Sequence, residues 1–138
     1  MFLVKECQRI IAECNPVFWA IENPATGMLR SYLGEPKYVY QPWFFGSPWT
    51  KKTALWGKFN EPKRIYEKWE DVPKIEGLYE RKDGIHRRAT GKPAMYQLHK
   101  SAFDLIPEFK DLPRPESDME FRSLCSQKFA QQFYEANK

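Results

Sequence analysis

Residues 2–24, FLVKECQRIIAECNPVFWAIENP, decide the fold class that the sequence predicts. Apolar residues recur at helical spacing as far as Cys14, and Asn15-Pro16 ends the segment because the residue before a proline is disfavoured in the α conformation. The unbroken apolar run Val17–Ile21 is typical of a parallel strand that is buried on both faces. An amphipathic helix over roughly 2–14 followed by a buried strand predicts an α/β fold.

Further elements are predicted outward from this unit. In chain order they are a short helix at Thr26–Leu33 stopped by Gly34, strands at Lys37–Gln41 and Thr53–Lys58 joined by an aromatic loop at Pro42–Thr50, and a final helix capped by Ser126. The inner side of that last helix is expected to consist of Phe129, Ala130, Phe133 and Tyr134.

Composition excludes several classes of protein. Hydrophobic residues make up 42% of the 138 residues, which is typical of a folded chain, yet no apolar run approaches the roughly 18 residues of a membrane span. We therefore expect no membrane insertion and a cytoplasmic protein.

Three cysteines without paired spacing and two distant histidines argue against a disulfide framework and against a metal site. The net charge of +4 favours a polyanionic partner only weakly.

The first candidate site is Glu22-Asn23-Pro24, which comes directly after the predicted buried strand. In open α/β sheets, ligands bind in the crevice at the carboxyl ends of the strands. A carboxylate there is exposed to substrate and is held by a rigid element. The alternative is that Glu22 is a solvated loop acid or a cap for the following helix.

The second candidate site is the aromatic loop together with Lys51, Lys52 and Thr53, which follow its tryptophan and phenylalanine side chains. Lysines neutralise phosphates and aromatic rings stack on bases, so this mixture suits nucleic acid. If Thr53 starts a strand, alternation sends the two lysines to opposite faces, and only one of them can point into the crevice. The alternative is that the aromatic side chains form a small core under the loop.

A third candidate is a basic cluster formed by Arg81, Lys82, Arg87, Arg88 and Lys92. Like charges crowded on a loop repel one another unless a polyanion or solvent accommodates them. The cluster is therefore predicted to contact the backbone of double-stranded DNA, and a solvated loop is the alternative.

Three motifs carry a resemblance to a known family. They are Ile21-Glu22-Asn23-Pro24, Gly46-x-Pro48-x-x-Lys51-x-Thr53-x-Leu55-Trp56, and Arg122-Ser123-Leu124-Cys125-Ser126-x-x-Phe129-Ala130. Together they resemble the later motifs of DNA cytosine-5 methyltransferases, most closely the compact versions of phages and prophages. The resemblance covers 17–60 and 121–137 in the right order and is silent between them.

The resemblance implies a partial methyltransferase sheet of the Rossmann-like type with flanking helices. Residues 1–60 would be the second half of the α/β domain, 61–116 a basic insertion that acts as a reduced target-recognition region, and 117–138 a C-terminal packing helix.

The resemblance also implies roles for single residues. Glu22 looks like the glutamate that holds and protonates the ring nitrogen of the flipped cytosine, and Asn23 would shape the loop behind the catalytic cysteine. Pro48 and Lys51 fall where the family has a Pro-Gln-x-Arg stretch that contacts the target nucleotide. Lys51 keeps the positive charge of the family arginine but loses its planar fork, so we expect point contact with a phosphate or a base oxygen.

Two parts that the family needs are missing from this sequence. The methyl donor, S-adenosylmethionine, requires a glycine-rich turn, but no two of the seven glycines lie within two residues of each other. The nucleophile requires a Pro-Cys dipeptide, but Cys7, Cys14 and Cys125 follow Glu, Glu and Leu. Cys7 and Cys14 are expected to be buried structural thiols on one helical face.

The expected function is therefore that of a fragment, split gene product or remnant that holds DNA and the flipped cytosine. It would bind no cofactor alone and would act with a donor-binding N-terminal half. The main alternative is a stand-alone DNA-binding or phage accessory protein without catalytic activity. An amino-methyltransferase would need an Asp/Asn-Pro-Pro-aromatic motif, which is absent. An exposed edge strand would also invite a homodimer.

Overall fold

The computed structural model describes residues 2–78 and 91–138, and the elements below are those of this part of the chain. The α-helices are α1 (Phe2–Cys14), α2 (Arg30–Leu33), α3 (Asp118–Ser123) and α4 (Gln127–Asn137), and the strands are β1 (Trp19–Pro24), β2 (Tyr38–Tyr40) and β3 (Thr53–Lys58). Short 3-10 helices occupy Pro42–Phe45, Trp69–Asp71, Met95–Gln97, Lys100–Leu105 and Pro107–Phe109. The mixed α/β class is thus confirmed. None of the helices described is long and apolar enough to cross a membrane.

The three strands form one sheet in the order β1-β3-β2, and both pairs are antiparallel. The prediction of a parallel strand buried on both faces is therefore wrong. In β1, half-buried and exposed residues alternate, and Val17 lies before the strand with 88% of its surface exposed. The reason is that α1 and the segment before α2 cover one face of β1. On the other face, α4 packs over β2 and β3 and leaves β1 open.

Each face of the sheet has its own apolar core. On one face, α1 and the segment before α2 contribute Val4 and Leu29, which pack against Ala54 and Trp56 of β3. On the other face, the Phe129 ring of α4 stacks on Tyr40 with the ring centroids 3.8 Å apart. The final helix, α4, therefore packs on this face of the sheet.

A third core lies beside the sheet and contains the fully buried Trp49. Its other members come from later segments: Leu78, Met95, Leu98, Ala102, Phe103, Ile106, Phe109 and Phe121. Thr50 joins this region to the loop after β2, because its N–H donates to the Pro93 carbonyl at 2.6 Å and its own carbonyl accepts from Met95 at 2.9 Å. The described part of 61–116 thus packs on the aromatic loop. The division of the chain into 1–60, 61–116 and 117–138 stays a prediction.

Two predicted helices differ from the structure in extent or orientation. The helix predicted at Thr26–Leu33 begins only at Arg30, because the chain first turns with the Gly27 N–H bonded to the Pro24 carbonyl. It ends at Gly34 with φ of 73°, as expected. The predicted inner side of α4 is wrong for Ala130 and Tyr134, which are exposed, since α4 meets the sheet through Phe129 and Phe133.

The predicted cap of the last helix is found, whereas the predicted burial of two cysteines is not. The Ser126 hydroxyl caps α4 by accepting from the Phe129 N–H at 3.1 Å, as predicted. Cys7 and Cys14 are exposed, so the expectation of buried thiols is wrong. Val4 is the buried residue of α1, so most of this helix surface stays accessible.

Gly57 allows β1 and β3 to pair closely. Its φ is +153°, and a Cβ at this position would lie 2.1 Å from the Trp19 carbonyl oxygen. Any larger residue would push β1 away from β3. This glycine therefore fixes the strand that carries Glu22.

Candidate functional site

Glu22 lies on the open face of β1, directly opposite Leu55 of β3 in the strand pairing. Residues opposite each other in an antiparallel pair project to the same face. The Glu22 side chain therefore stands on the face that α4 covers further along the sheet, but it is itself exposed. A carboxylate in this position is accessible to a ligand that approaches the end of the sheet.

Lys51 lies close enough to Glu22 for the two charges to interact. Burial lowers the pKa of the Lys51 ammonium, and the neighbouring charges of Glu22 and Cys125 oppose that shift. Its Nζ donates to the Leu124 carbonyl at 3.1 Å and to the Ser123 carbonyl at 3.4 Å. These carbonyls end α3, where a helix favours positive charge. Lys51 thus holds the end of α3 against the sheet, within electrostatic range of Glu22.

The backbone of Lys51 is held on both sides. Its N–H donates to the Gln41 side-chain oxygen at 2.9 Å, and its carbonyl accepts from the Thr53 hydroxyl at 2.8 Å. Thr53 is buried and faces Tyr40 of β2 in the strand pairing. Thr53, which the resemblance places in the base-contacting stretch, therefore positions Lys51 rather than contacting solvent.

Tyr40 and Cys125 complete the surroundings of Glu22 and Lys51. Burial raises the pKa of the Tyr40 phenol, and the nearby Cys125 and Glu22 charges act in the same direction. Burial also raises the pKa of the Cys125 thiol, although the Lys51 ammonium opposes this. Cys125 as a residue is exposed, so the burial concerns its sulfur. A thiol with a raised pKa is a weak nucleophile at neutral pH.

Asn23 and Lys52 lie on the opposite face of the sheet from Glu22 and Lys51. A Cβ built on Gly27 would be 3.3 Å from the Asn23 amide nitrogen, which places the Asn23 side chain against the turn before α2. Lys52 lines a cleft beside the same turn. The two neighbouring lysines therefore lie on different faces of the sheet, as strand alternation predicts. Pro24 forms the exposed end of β1.

Of the basic cluster, only Lys92 belongs to the described residues. Its ammonium lies 5.2 Å from the ring centroid of Trp43 and 5.9 Å from that of Trp69. This cation–π geometry ties the lysine to the aromatic loop. The predicted positions Arg81, Lys82, Arg87 and Arg88 lie outside the described residues.

A polar network that the sequence does not reveal supports the aromatic loop. The buried Ser47 hydroxyl donates to the Glu108 carboxylate at 2.8 Å and lies 2.6 Å from the Ser126 hydroxyl. Glu108 also accepts from the Gln127 N–H at 2.8 Å. Ser126 is recognisable in the sequence as a helix cap, but Glu108 is far away in the chain and carries no local signal.

The lowered pKa of Lys51 has a testable consequence for stability. The unfolded state holds the Lys51 proton up to a pKa near 10.5, whereas the folded state releases it earlier. Between these two values the unfolded state binds more protons, so the contribution of Lys51 to stability is smaller at neutral pH and rises with pH. We expect the unfolding free energy of the wild type to rise relative to that of Lys51→Met as pH increases toward 10.5.

Urea unfolding at several pH values measures this difference. The exposed neighbour Lys52→Met is the matched control, because it removes the same charge from the other face of the sheet. A difference between wild type and Lys51→Met that stays constant with pH would contradict the burial of this ammonium.

Neither a metal site nor a protein family can be assigned from the ligand-type side chains of the described residues or from the similarity of the chain to known proteins. Across residues 2–78 and 91–138, no group of three or more His, Cys, Asp and Glu side chains is arranged to hold a metal ion. No protein-family model, curated protein or solved structure matches the chain.

Proposed function

We propose that this chain is the base-contacting part of a phage-type DNA cytosine-5 methyltransferase, and that it holds DNA and the flipped target cytosine. The observation that carries the proposal is that the exposed Glu22 and the half-buried Lys51 lie at the same end of the sheet, within range of electrostatic interaction. The two residues belong to separate motifs of the family resemblance. A carboxyl group and an ammonium group at the same end of the sheet offer the chemistry that the two motifs require together.

The sheet topology supports membership of a larger methyltransferase sheet of the Rossmann-like type. β1 and β2 run in the same direction on either side of the antiparallel β3. Doubly wound sheets commonly carry an antiparallel strand near the edge of an otherwise parallel sheet. The outer edge of β1 is unpaired among the described strands, and such an edge is a template for another strand. The proposed occupant is a strand of the donor-binding half.

In this proposal, Glu22 acts on the cytosine ring. A base that undergoes chemistry must leave the helical stack and is then read along its Watson–Crick edge. A carboxylic acid can donate to the cytosine ring nitrogen and accept from the exocyclic amino group. Protonation of that nitrogen draws electrons from the ring and favours nucleophilic attack on it. Lys51 supplies a point charge to a phosphate or base oxygen beside the flipped base.

The methyl donor and the nucleophile belong to the other half in this proposal. The chain contains no glycine-rich turn that would fit S-adenosylmethionine. The thiol nearest to Glu22 is that of Cys125, whose raised pKa makes it unsuited to attack. The described residues therefore bind and orient DNA in the cytoplasm, and chemistry requires a partner.

A methylation assay with two components tests the proposal. The purified chain is mixed with radiolabelled S-adenosylmethionine and a cytosine-containing duplex, first alone and then with a separately expressed donor-binding half of a phage cytosine-5 methyltransferase. We expect label on DNA only in the mixture, because donor binding and the nucleophile come from the added half. Label from the chain alone would overturn the fragment interpretation.

If neither reaction labels the DNA, the result would favour the second candidate function, a stand-alone DNA-binding or accessory protein. One observation favours this candidate: the Lys51 ammonium is already engaged by the Leu124 and Ser123 carbonyls, which is what a structural lysine does. In that case the free edge of β1 would be covered by a second copy of the chain. Sedimentation of the purified chain would then report a dimer.

A further inference from the structure

A cleft opens on the face of the sheet opposite Glu22, between β2, the start of β3 and the turn that precedes α2. Its volume is about 750 Å³. Ala25 and Val39 form its apolar base, and both also pack against the core beneath α1. The remaining lining comes from Thr26, Gly27, Arg30, Ser31 and Lys52.

The lining of this cleft is cationic. Arg30 and Lys52 supply two positive charges, Thr26 and Ser31 supply hydroxyl groups, and none of the described lining residues is acidic. All four of these side chains belong to exposed residues. Two cations beside two hydroxyl donors match a group with several anionic oxygens better than a neutral or cationic ligand.

The two cations remain largely available to a ligand. Among the described residues, the Lys52 ammonium makes no hydrogen bond or ion pair, and the Arg30 guanidinium makes one ion pair, from Nη2 to Glu35 at 3.2 Å. Both partners of that pair are more than half exposed, with 53% and 78% of their side-chain surfaces accessible. An exposed pair of this kind contributes little and can be exchanged for a stronger anion.

The turn at Gly27 fixes the shape of the cleft. A Cβ at this position would lie 3.0 Å from the Pro24 carbonyl oxygen and 3.3 Å from the Asn23 amide nitrogen. The absence of a side chain lets the turn close directly onto the end of β1. The Asn23 side chain therefore packs against the turn that lines the cleft and does not lie on the open face that carries Glu22.

We propose that this cleft binds a phosphodiester group of the nucleic-acid backbone through Arg30 and Lys52, with the Thr26 and Ser31 hydroxyls as further donors. The inference rests on the proposed function in so far as DNA supplies the phosphate. Glu22 lies three residues before the cleft residue Ala25, roughly 10 Å along an extended chain. A strand of DNA at this end of the sheet can therefore place a base against one face and a backbone phosphate against the other.

The test combines a free phosphate with a duplex. In ¹H–¹⁵N spectra of the labelled chain, inorganic phosphate should shift the Gly27 and Ser31 amide signals, and Arg30→Gln with Lys52→Gln should abolish the shifts. For a cytosine-containing duplex, the same double variant should make the slope of log affinity against log salt shallower by about 0.9, since the cleft binds one phosphodiester group and each phosphate contact contributes that much. Glu35→Gln removes the competing carboxylate and should tighten binding several-fold.

The matched control is Lys110→Gln with Arg114→Gln, which removes one lysine and one arginine from an exposed region outside the sheet. It should keep the wild-type slope. A double variant of Arg30 and Lys52 that also keeps this slope overturns the cleft as a phosphate site. If the duplex does not bind, the proposed function fails, and the phosphate titration alone decides about the cleft. Shifts at Gly27 and Ser31 then support it, and their absence overturns it.

Discussion

Glu22→Gln in the reconstituted two-part enzyme is expected to lower the methylation rate by about 10²- to 10⁴-fold, the usual contribution of a positioned acid. Glutamine keeps the size of the side chain and can still hydrogen-bond to the base, but it cannot deliver a proton to the ring nitrogen. Glu22 is exposed and its neighbours Leu55 and Ala20 do not depend on its charge. The variant should therefore fold and bind the duplex with an affinity within about twofold of wild type.

Single-turnover methylation and duplex binding separate the two effects. Glu135→Gln is the matched control, because it removes an exposed carboxylate from α4, away from the end of the sheet that carries Glu22. It should change neither measurement. Full methylation activity of Glu22→Gln would remove this residue from the chemistry, and a parallel loss of duplex affinity would assign it to binding instead.

The elements with strong local signals could be predicted from the sequence. The helical spacing of apolar residues and Asn15-Pro16 gives α1 its bounds, and Thr53–Lys58 is found as predicted. Ser126 and Gly34 are found at the helix ends where their local chemistry places them. In each case the deciding interaction joins residues that are close together in the chain.

The errors come from interactions between residues that are far apart. The run Val17–Ile21 has the composition of a doubly buried strand, but burial depends on what covers β1, and α4 leaves one face of it open. The direction of pairing with β3 has no local signature at all. Likewise, the electrostatic contact of Lys51 with Cys125 and the Ser47–Glu108 hydrogen bond arise from the way the last third of the chain returns to the sheet.

Trp49 illustrates how a residue of the candidate motif can have a structural role. The resemblance places it where the family has a glutamine that contacts the target nucleotide, yet Trp49 is completely buried. Its ring lies 5.5 Å from that of Phe109, centroid to centroid, within the third core. A side chain enclosed in this way cannot reach a base. The loop is thus anchored at Trp49, two residues before Lys51.

Trp49→Ala is expected to lower the unfolding free energy by about 3–5 kcal/mol, the usual cost of removing a buried tryptophan side chain and leaving a cavity. Trp49→Phe should cost less, about 1–2 kcal/mol, because it leaves a smaller cavity and also removes an N–H that has no hydrogen-bond partner among the described residues. Urea unfolding measures both losses, and the half-buried Trp43→Ala is the matched control. Equal losses for Trp49→Ala and Trp43→Ala would contradict the greater burial of Trp49. A loss for Trp49→Ala that also weakens duplex binding, with Trp49→Phe binding normally, would show that this anchor positions Lys51 for its ligand.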